Sequence, residues 1–194
     1  MRKESKLKHL FVSLMILGCS FGFIACDKNK DDPAKEPLLT DVYGEYTGKM
    51  TVAVTYDAAA AAGDDISATV NNDTVYFAKF PVENIIKNIV PGEGGDAVVA
   101  LLGDIKYPIG YKAEFNAAKD GISMTFDPKP LQLGIPTPTG ELQSVTVSVS
   151  ADEKGSYAIE GKILKFSIKV TGVTVDDEAF QVPPMTFTFN MNKK

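Results

Sequence analysis

Histidine and cysteine are almost absent from this chain, and tryptophan is missing altogether. The single histidine, His9, and both cysteines, Cys19 and Cys26, lie within the first 26 residues. Hydrolytic sites that pair a serine or cysteine nucleophile with histidine are therefore excluded from the remainder. Zinc sites with histidine and cysteine ligands, and disulfides, are excluded there as well. The fold must depend on packing and strand pairing.

Basic residues are also scarce beyond the N-terminus. The first 25 residues carry a net charge of +3, so the formal charge of −5 for the whole chain leaves −8 for residues 26–194. An acidic domain does not attract phosphate backbones, and we expect no nucleic-acid partner.

Acidic pairs are the remaining candidates for catalysis or metal binding. Asp64-Asp65 and Asp176-Asp177-Glu178 offer carboxylates for a glycosidase pair or a calcium site. Neither has the alternating ligand spacing of a calcium loop, and adjacent acids in a turn are usually solvated. Gly92-Glu93-Gly94-Gly95 lacks the lysine of a phosphate loop and is interpreted as a plain loop. We expect no enzymatic activity, no metal and no cofactor.

The N-terminus has the organisation of an export signal. A basic stretch, residues 2–8, precedes an apolar stretch from Leu10 to Ile24. The apolar stretch is shorter and more broken than the roughly 20 residues of a membrane span, which is typical of a signal peptide. Residues 1–25 are predicted to be this leader.

The end of the leader, Phe23-Ile24-Ala25-Cys26, resembles the lipobox of bacterial lipoproteins. The resemblance implies a diacylglycerol on Cys26 and a lipid anchor in the membrane. Phe23 replaces the usual leucine of that motif. Cys19, after Ile16-Leu17-Gly18, is an alternative site, and an ordinary signal peptide without a lipid is another.

Residues 26–40 are predicted to be a flexible tether because they are almost entirely polar. Lys30-Asp31-Asp32 resembles the signal that directs Bacteroidetes-type lipoproteins to the cell surface. We expect an outer-membrane lipoprotein, exposed on the outer face; a solvated linker is the alternative interpretation.

Residues 41–194 follow a two-residue period that predicts an all-β domain. The alternation is long in 45–56 and 105–115. In Tyr157–Val170 it changes phase near Ile163, which we interpret as a bulge in one strand. One segment, Val82–Val90 after Pro81, has helical spacing instead, and 96–102 is compatible with helix or strand.

About eight antiparallel strands with one short helix fit a closed barrel, and a β-sandwich is the alternative. Tyr43-Gly44-Glu45-Tyr46-Thr47-Gly48 resembles the start of lipocalin-like (calycin-like) domains in Bacteroidetes cell-envelope lipoproteins. Phe80-Pro81-Val82 is similar to an uncharacterised family among them, of domain-of-unknown-function type. The resemblance implies a barrel on a lipid anchor and brings no catalytic residues.

Aromatic side chains on the predicted inner faces are the candidate ligand-binding residues: Tyr46, Tyr56, Tyr107, Tyr111 and Phe187. An eight-stranded barrel is just wide enough to be packed solid or to hold one small ligand. The leading hypothesis is a non-enzymatic binding module for a small apolar or glycan-derived ligand. The alternative is a structural or interaction protein with a filled barrel, docking in an outer-membrane complex; the sequence does not identify its protein partner.

Thr74 is a candidate for modification. Asp73-Thr74-Val75 resembles the Asp-(Ser/Thr)-apolar triplet that Bacteroidetes-type bacteria O-glycosylate on exported proteins. The resemblance implies a glycan on Thr74; the alternative is an ordinary residue at the start of a strand.

Overall fold

A computed structural model describes residues 36–54, 63–137 and 139–194, all within the unit Glu36–Lys194. The predicted leader, Cys26 and most of the tether lie outside these residues, and so does Tyr56. A 3₁₀ turn at Leu39–Val42 leads into the first strand. In chain order the strands and helices are β1 (Gly44–Val54), β2 (Asp64–Val70), β3 (Thr74–Phe77), α1 (Glu83–Ile89), α2 (Glu93–Leu102), β4 (Tyr107–Phe115), β5 (Gly121–Pro128), β6 (Leu131–Pro136), β7 (Leu142–Ser150), β8 (Gly155–Ala158), β9 (Ile163–Val175), β10 (Glu178–Phe180) and β11 (Met185–Lys193).

Eight of these strands close into an antiparallel barrel in the order β1-β2-β3-β4-β5-β8-β9-β11. Closure occurs at β11, which pairs with β9 on one side and with β1 on the other. The alternation in each strand places apolar side chains inside, as in β1, where Tyr46, Met50 and Val52 are buried. The predicted all-β barrel is confirmed, and the sandwich alternative is excluded.

Two glycines allow the barrel to curve tightly. A Cβ on Gly48 would lie 2.2 Å from the main-chain oxygen of Asn190, where β1 approaches β11. A Cβ on Gly155 would lie 2.5 Å from the ring of Phe126. At both positions only glycine permits the observed approach.

β9 extends beyond the barrel pairing, and β7, β6 and β10 continue the same sheet from there. Its first half pairs with β8 and β11, and its second half pairs with β7 and β10. β7 pairs in turn with β6, the last strand of the sheet on this side among the described residues. Asp176 and Asp177, with φ of 50° and 66°, form the two-residue turn between β9 and β10.

The helices lie at one end of the barrel. β1 and β3 run in the same direction because each is antiparallel to β2. The chain therefore enters β1 at one end of the barrel and leaves β3 for α1 at the other. Ile85 and Ile86 of α1 are buried there, together with Phe80 and Val82.

Three details differ from the sequence-based expectations. The glycine-rich segment interpreted as a loop begins a second helix, α2, where one helix was predicted. Tyr157–Val170 is two strands, β8 and β9, joined by a turn at residues 159–162. The bulge on β9 lies instead opposite Ser148 and Val149 of β7.

Candidate functional site

The predicted pocket residues that the structure describes all lie in the barrel interior. Tyr46, Tyr107, Tyr111 and Phe187 are buried. Tyr46 also borders a depression of about 180 Å³ with Ser67, Tyr76 and Lys194. Ligand pockets usually have volumes of roughly 300–1,000 Å³, so this depression is small for a ligand.

The buried tyrosines use their hydroxyl groups to hold the protein's own main chain. Tyr46 donates to the carbonyl of Val42 at 2.5 Å, and Tyr107 donates to that of Lys129 at 2.6 Å. Tyr111 donates to the carbonyl of Asn71. These bonds fasten the segments next to the strands, and each hydroxyl has its hydrogen-bond partner without a ligand.

Stacked phenylalanines occupy the centre of the barrel. The ring of Phe166 lies 4.4 Å from that of Phe126 and 4.5 Å from that of Phe189, both nearly parallel. Phe77 lies 5.4 Å from Phe189, and Phe80, from the segment before α1, lies 5.6 Å from Phe77. Rings at these separations are in contact. Side chains therefore occupy the space in which a lipocalin-like barrel would hold its ligand.

The filled interior predicts an alkaline limit to stability. Burial raises the pKa of Tyr46, Tyr107 and Tyr111 well above the ordinary value of 10.0. Their neutral phenols contribute stability that is complete below pH 10 and is lost as the pH rises above it. We expect tyrosinate absorbance from these residues to appear only as the circular dichroism of the sheet is lost. Titration of all tyrosines near pH 10 in a folded protein would contradict this.

A groove on the outer surface lies between α2 and the β6–β7 hairpin. It has a volume of about 400 Å³ and is lined by Val90, Gly94, Ala97, Val98, Leu101, Ile135, Pro136, Thr137 and Gln143. Leu101 on α2 is 70% exposed, and Leu142 on the β6–β7 hairpin is 71% exposed. The sequence did not reveal this groove, since the start of its helical wall was interpreted as a loop and 96–102 was compatible with helix or strand.

Acidic residues lie next to the groove lining in the sequence. The segment between Lys87 and Lys106, which contains α2, has three charged residues, Glu93, Asp96 and Asp104, and all are acidic. In the segment between Lys129 and Lys154, which contains the β6–β7 hairpin, the first charged residue is Glu141. Asp176 accepts a hydrogen bond from the main-chain nitrogen of Ser144 at 2.9 Å and lies 3.5 Å from the amide nitrogen of Gln143.

Lys87 of α1 is linked to α2 by an ion pair, so its positive charge is already paired. It pairs with Glu83 at 2.5 Å and with Asp96 at 2.8 Å, and these hydrogen bonds raise its pKa. Among the residues that the structure describes, Glu93, Glu141, Asp177 and Glu178 form no ion pair. The acidic residues next to the groove lining in the chain therefore keep their negative charge.

The acidic residues considered for catalysis or metal binding lie on a strand and in a turn. Asp65 pairs with Lys49 at 2.9 Å on the barrel wall, and Asp176 and Asp177 form the β9–β10 turn. Within the described ranges, no group of three or more histidine, cysteine, aspartate or glutamate residues could hold a metal ion.

Thr74 begins β3 and is half-buried. Its Oγ1 donates to Oδ1 of Asp73 at 2.9 Å, and its main-chain nitrogen donates to Oδ1 of Asn71 at 3.1 Å. Asn71 thus closes the turn that starts the strand. The glycan on Thr74 stays a prediction.

No helix in the described part of the chain is long and apolar enough to cross a membrane. A family model described as "Domain of unknown function (DUF4840)" matches residues 41–175, from the 3₁₀ turn to the end of β9. This match agrees with the predicted similarity to a domain-of-unknown-function family. The comparisons with curated proteins and with solved structures found no match.

Proposed function

We propose that this chain, which belongs to the DUF4840 family of domains of unknown function, is a non-enzymatic interaction module of the bacterial cell envelope. The proposal places it at the outer membrane, held by a lipid on Cys26. In this role the barrel is a rigid docking unit whose outer surface binds another component of the envelope.

The packed barrel interior is the observation that carries this proposal. Phe77, Phe126, Phe166 and Phe189 are in ring contact across the centre, and the tyrosine hydroxyls bind main-chain carbonyls. A small apolar or glycan-derived ligand in the barrel would have to displace these rings. That hypothesis, which the sequence alone favoured, therefore has less support than docking through the outer surface.

The mode of attachment rests on the sequence. The basic and apolar leader ends at Ala25, directly before Cys26, and eleven mostly polar residues separate Cys26 from Leu38. A tether of this length spans roughly 30–40 Å when extended.

Native mass spectrometry tests the filled barrel. The full-length protein is purified in mild detergent from its own host, and its mass is measured under native and denaturing conditions. We expect the two measurements to agree, because any lipid or glycan is covalent and remains in both. A stoichiometric small molecule that is present only in the native measurement would contradict the proposed function and support the ligand-binding hypothesis.

A further inference from the structure

We infer that the groove between α2 and the β6–β7 hairpin is the docking site for a segment of a partner protein that carries apolar side chains flanked by lysine or arginine. This inference rests on the proposed function, and it specifies where the interaction module binds and what chemistry it recognises.

The walls of the groove suit apolar side chains. Ile135 and Val98 form its buried base, and Leu101 stands exposed at its margin. Gly94 and Ala97 are the small residues on the helical wall, so a partner's main chain can approach α2 closely. Removing this exposed apolar surface from water lowers the free energy, which favours a bound apolar segment.

Negative charge near the groove favours lysine or arginine next to the partner's apolar side chains. Glu93 lies next to Gly94 on the helix, and Glu141 lies next to Leu142 on the hairpin. Both are exposed and have no ion pair in the part of the chain that is described. Asp177 and Glu178 add negative charge at the neighbouring turn. A cationic segment is attracted by this arrangement, and an acidic one is repelled.

The groove lies at the end of the barrel opposite to the start of β1. The predicted tether, residues 26–40, precedes the start of β1 at Gly44. Because α1 and α2 connect β3 to β4 at the opposite end, the tethered end and the groove lie at different ends of the barrel. Negative charge near the groove also repels the anionic headgroups of a lipid surface, so charge favours a cationic protein segment as the occupant.

Fluorescence anisotropy with a designed peptide tests the inference on the full-length protein in detergent. The probe is a labelled nonapeptide in which three leucines alternate with two serines between two pairs of lysines. One control peptide has glutamate in place of lysine, and the other has serine in place of leucine. We expect saturable binding of the probe and at least about tenfold weaker binding of each control.

Matched variants locate the binding. Ala97→Gln places a polar side chain in the groove and is expected to weaken binding at least about tenfold. Ala100→Gln makes the same change on the same helix, at an exposed position outside the groove lining, and should leave binding unchanged. Glu93→Gln with Glu141→Gln should weaken binding and its salt dependence, whereas Glu153→Gln with Glu160→Gln should not. Circular dichroism verifies that each variant folds.

The inference is overturned if the probe does not bind up to about 1 mM, the range of weak complexes, or if Ala97→Gln and wild type bind it equally. Self-association that Ala97→Gln abolishes would overturn it too, by assigning the groove to a second copy. Binding of anionic vesicles that Ala97→Gln abolishes would assign the groove to lipid. These results differ from a retained ligand in native mass spectrometry, which alone would contradict the proposed function.

Discussion

Replacing Phe189 by alanine is expected to lower the free energy of unfolding by about 3–5 kcal/mol, the range for large-to-small changes at aromatic core positions. Phe189 is fully buried, and its ring stacks on that of Phe166. It lies on β11, paired with Met50 of β1 and Phe166 of β9, where the barrel closes. The change removes apolar contacts and leaves a cavity between the closing strands. Urea denaturation followed by circular dichroism measures the difference.

Two comparisons make this experiment specific for a filled barrel. Phe180→Ala, on β10 outside the barrel ring, removes the same ring from a 37% exposed position, and should cost about 1 kcal/mol or less. Benzene should raise the melting temperature of the Phe189→Ala variant, because dry apolar cavities bind it, and should leave wild type unchanged. Equal stabilisation of wild type by benzene would indicate an existing internal cavity.

The barrel strands could be predicted because each has one face on the core and one on solvent. In β1 and β4 the period of two is unbroken, and the structure places Tyr46, Met50, Tyr107 and Ile109 inside. The same reasoning failed at Tyr157–Val170. A tight turn and a bulge both shift the phase of an alternating pattern, and only the pairing of Tyr157 with Leu164 shows that the chain reverses.

The start of helix α2 could not be predicted because local preference opposes it, and 96–102 was compatible with helix or strand. Gly94 and Gly95 disfavour a helix, yet Gly95 lies inside α2 and is required there. A Cβ on Gly95 would lie 2.3 Å from the carbonyl oxygen of Val90, at the end of α1. Gly92 and Gly103, with φ of 74° and 63°, flank the helix at its two ends. Packing against α1 therefore overrides propensity.

The prediction of the candidate site was limited in the same way. Alternation identified the inward-facing Tyr107 and Phe187, but it does not measure the volume between strands that are far apart in the chain. Phe80, which contacts both rings from outside the strand pattern, helps to fill that volume. The outer groove needs α2 as one wall, so the loop interpretation of 92–95 and the open choice at 96–102 also concealed the groove.

Replacing Cys26 by alanine is expected to abolish lipid attachment and to move the protein almost completely from the membrane to the soluble fraction. Cys26 carries the only thiol after the predicted cleavage position. A diacylglycerol supplies two acyl chains there, and two chains give stable anchoring where one gives only reversible binding. Labelled palmitate and membrane fractionation measure both effects.

Cys19→Ala is the matched control, because it removes the other thiol of the leader seven residues earlier. This variant should incorporate palmitate and remain in the membrane fraction like wild type. The lipid on Cys26 must also leave the barrel unchanged, so the released Cys26→Ala protein should show the same melting temperature as wild type. If Cys19→Ala loses the label and Cys26→Ala keeps it, the anchor is on Cys19, and the tether is longer by those seven residues. If both variants keep the membrane association of wild type without label, the attachment is not a lipid on either cysteine.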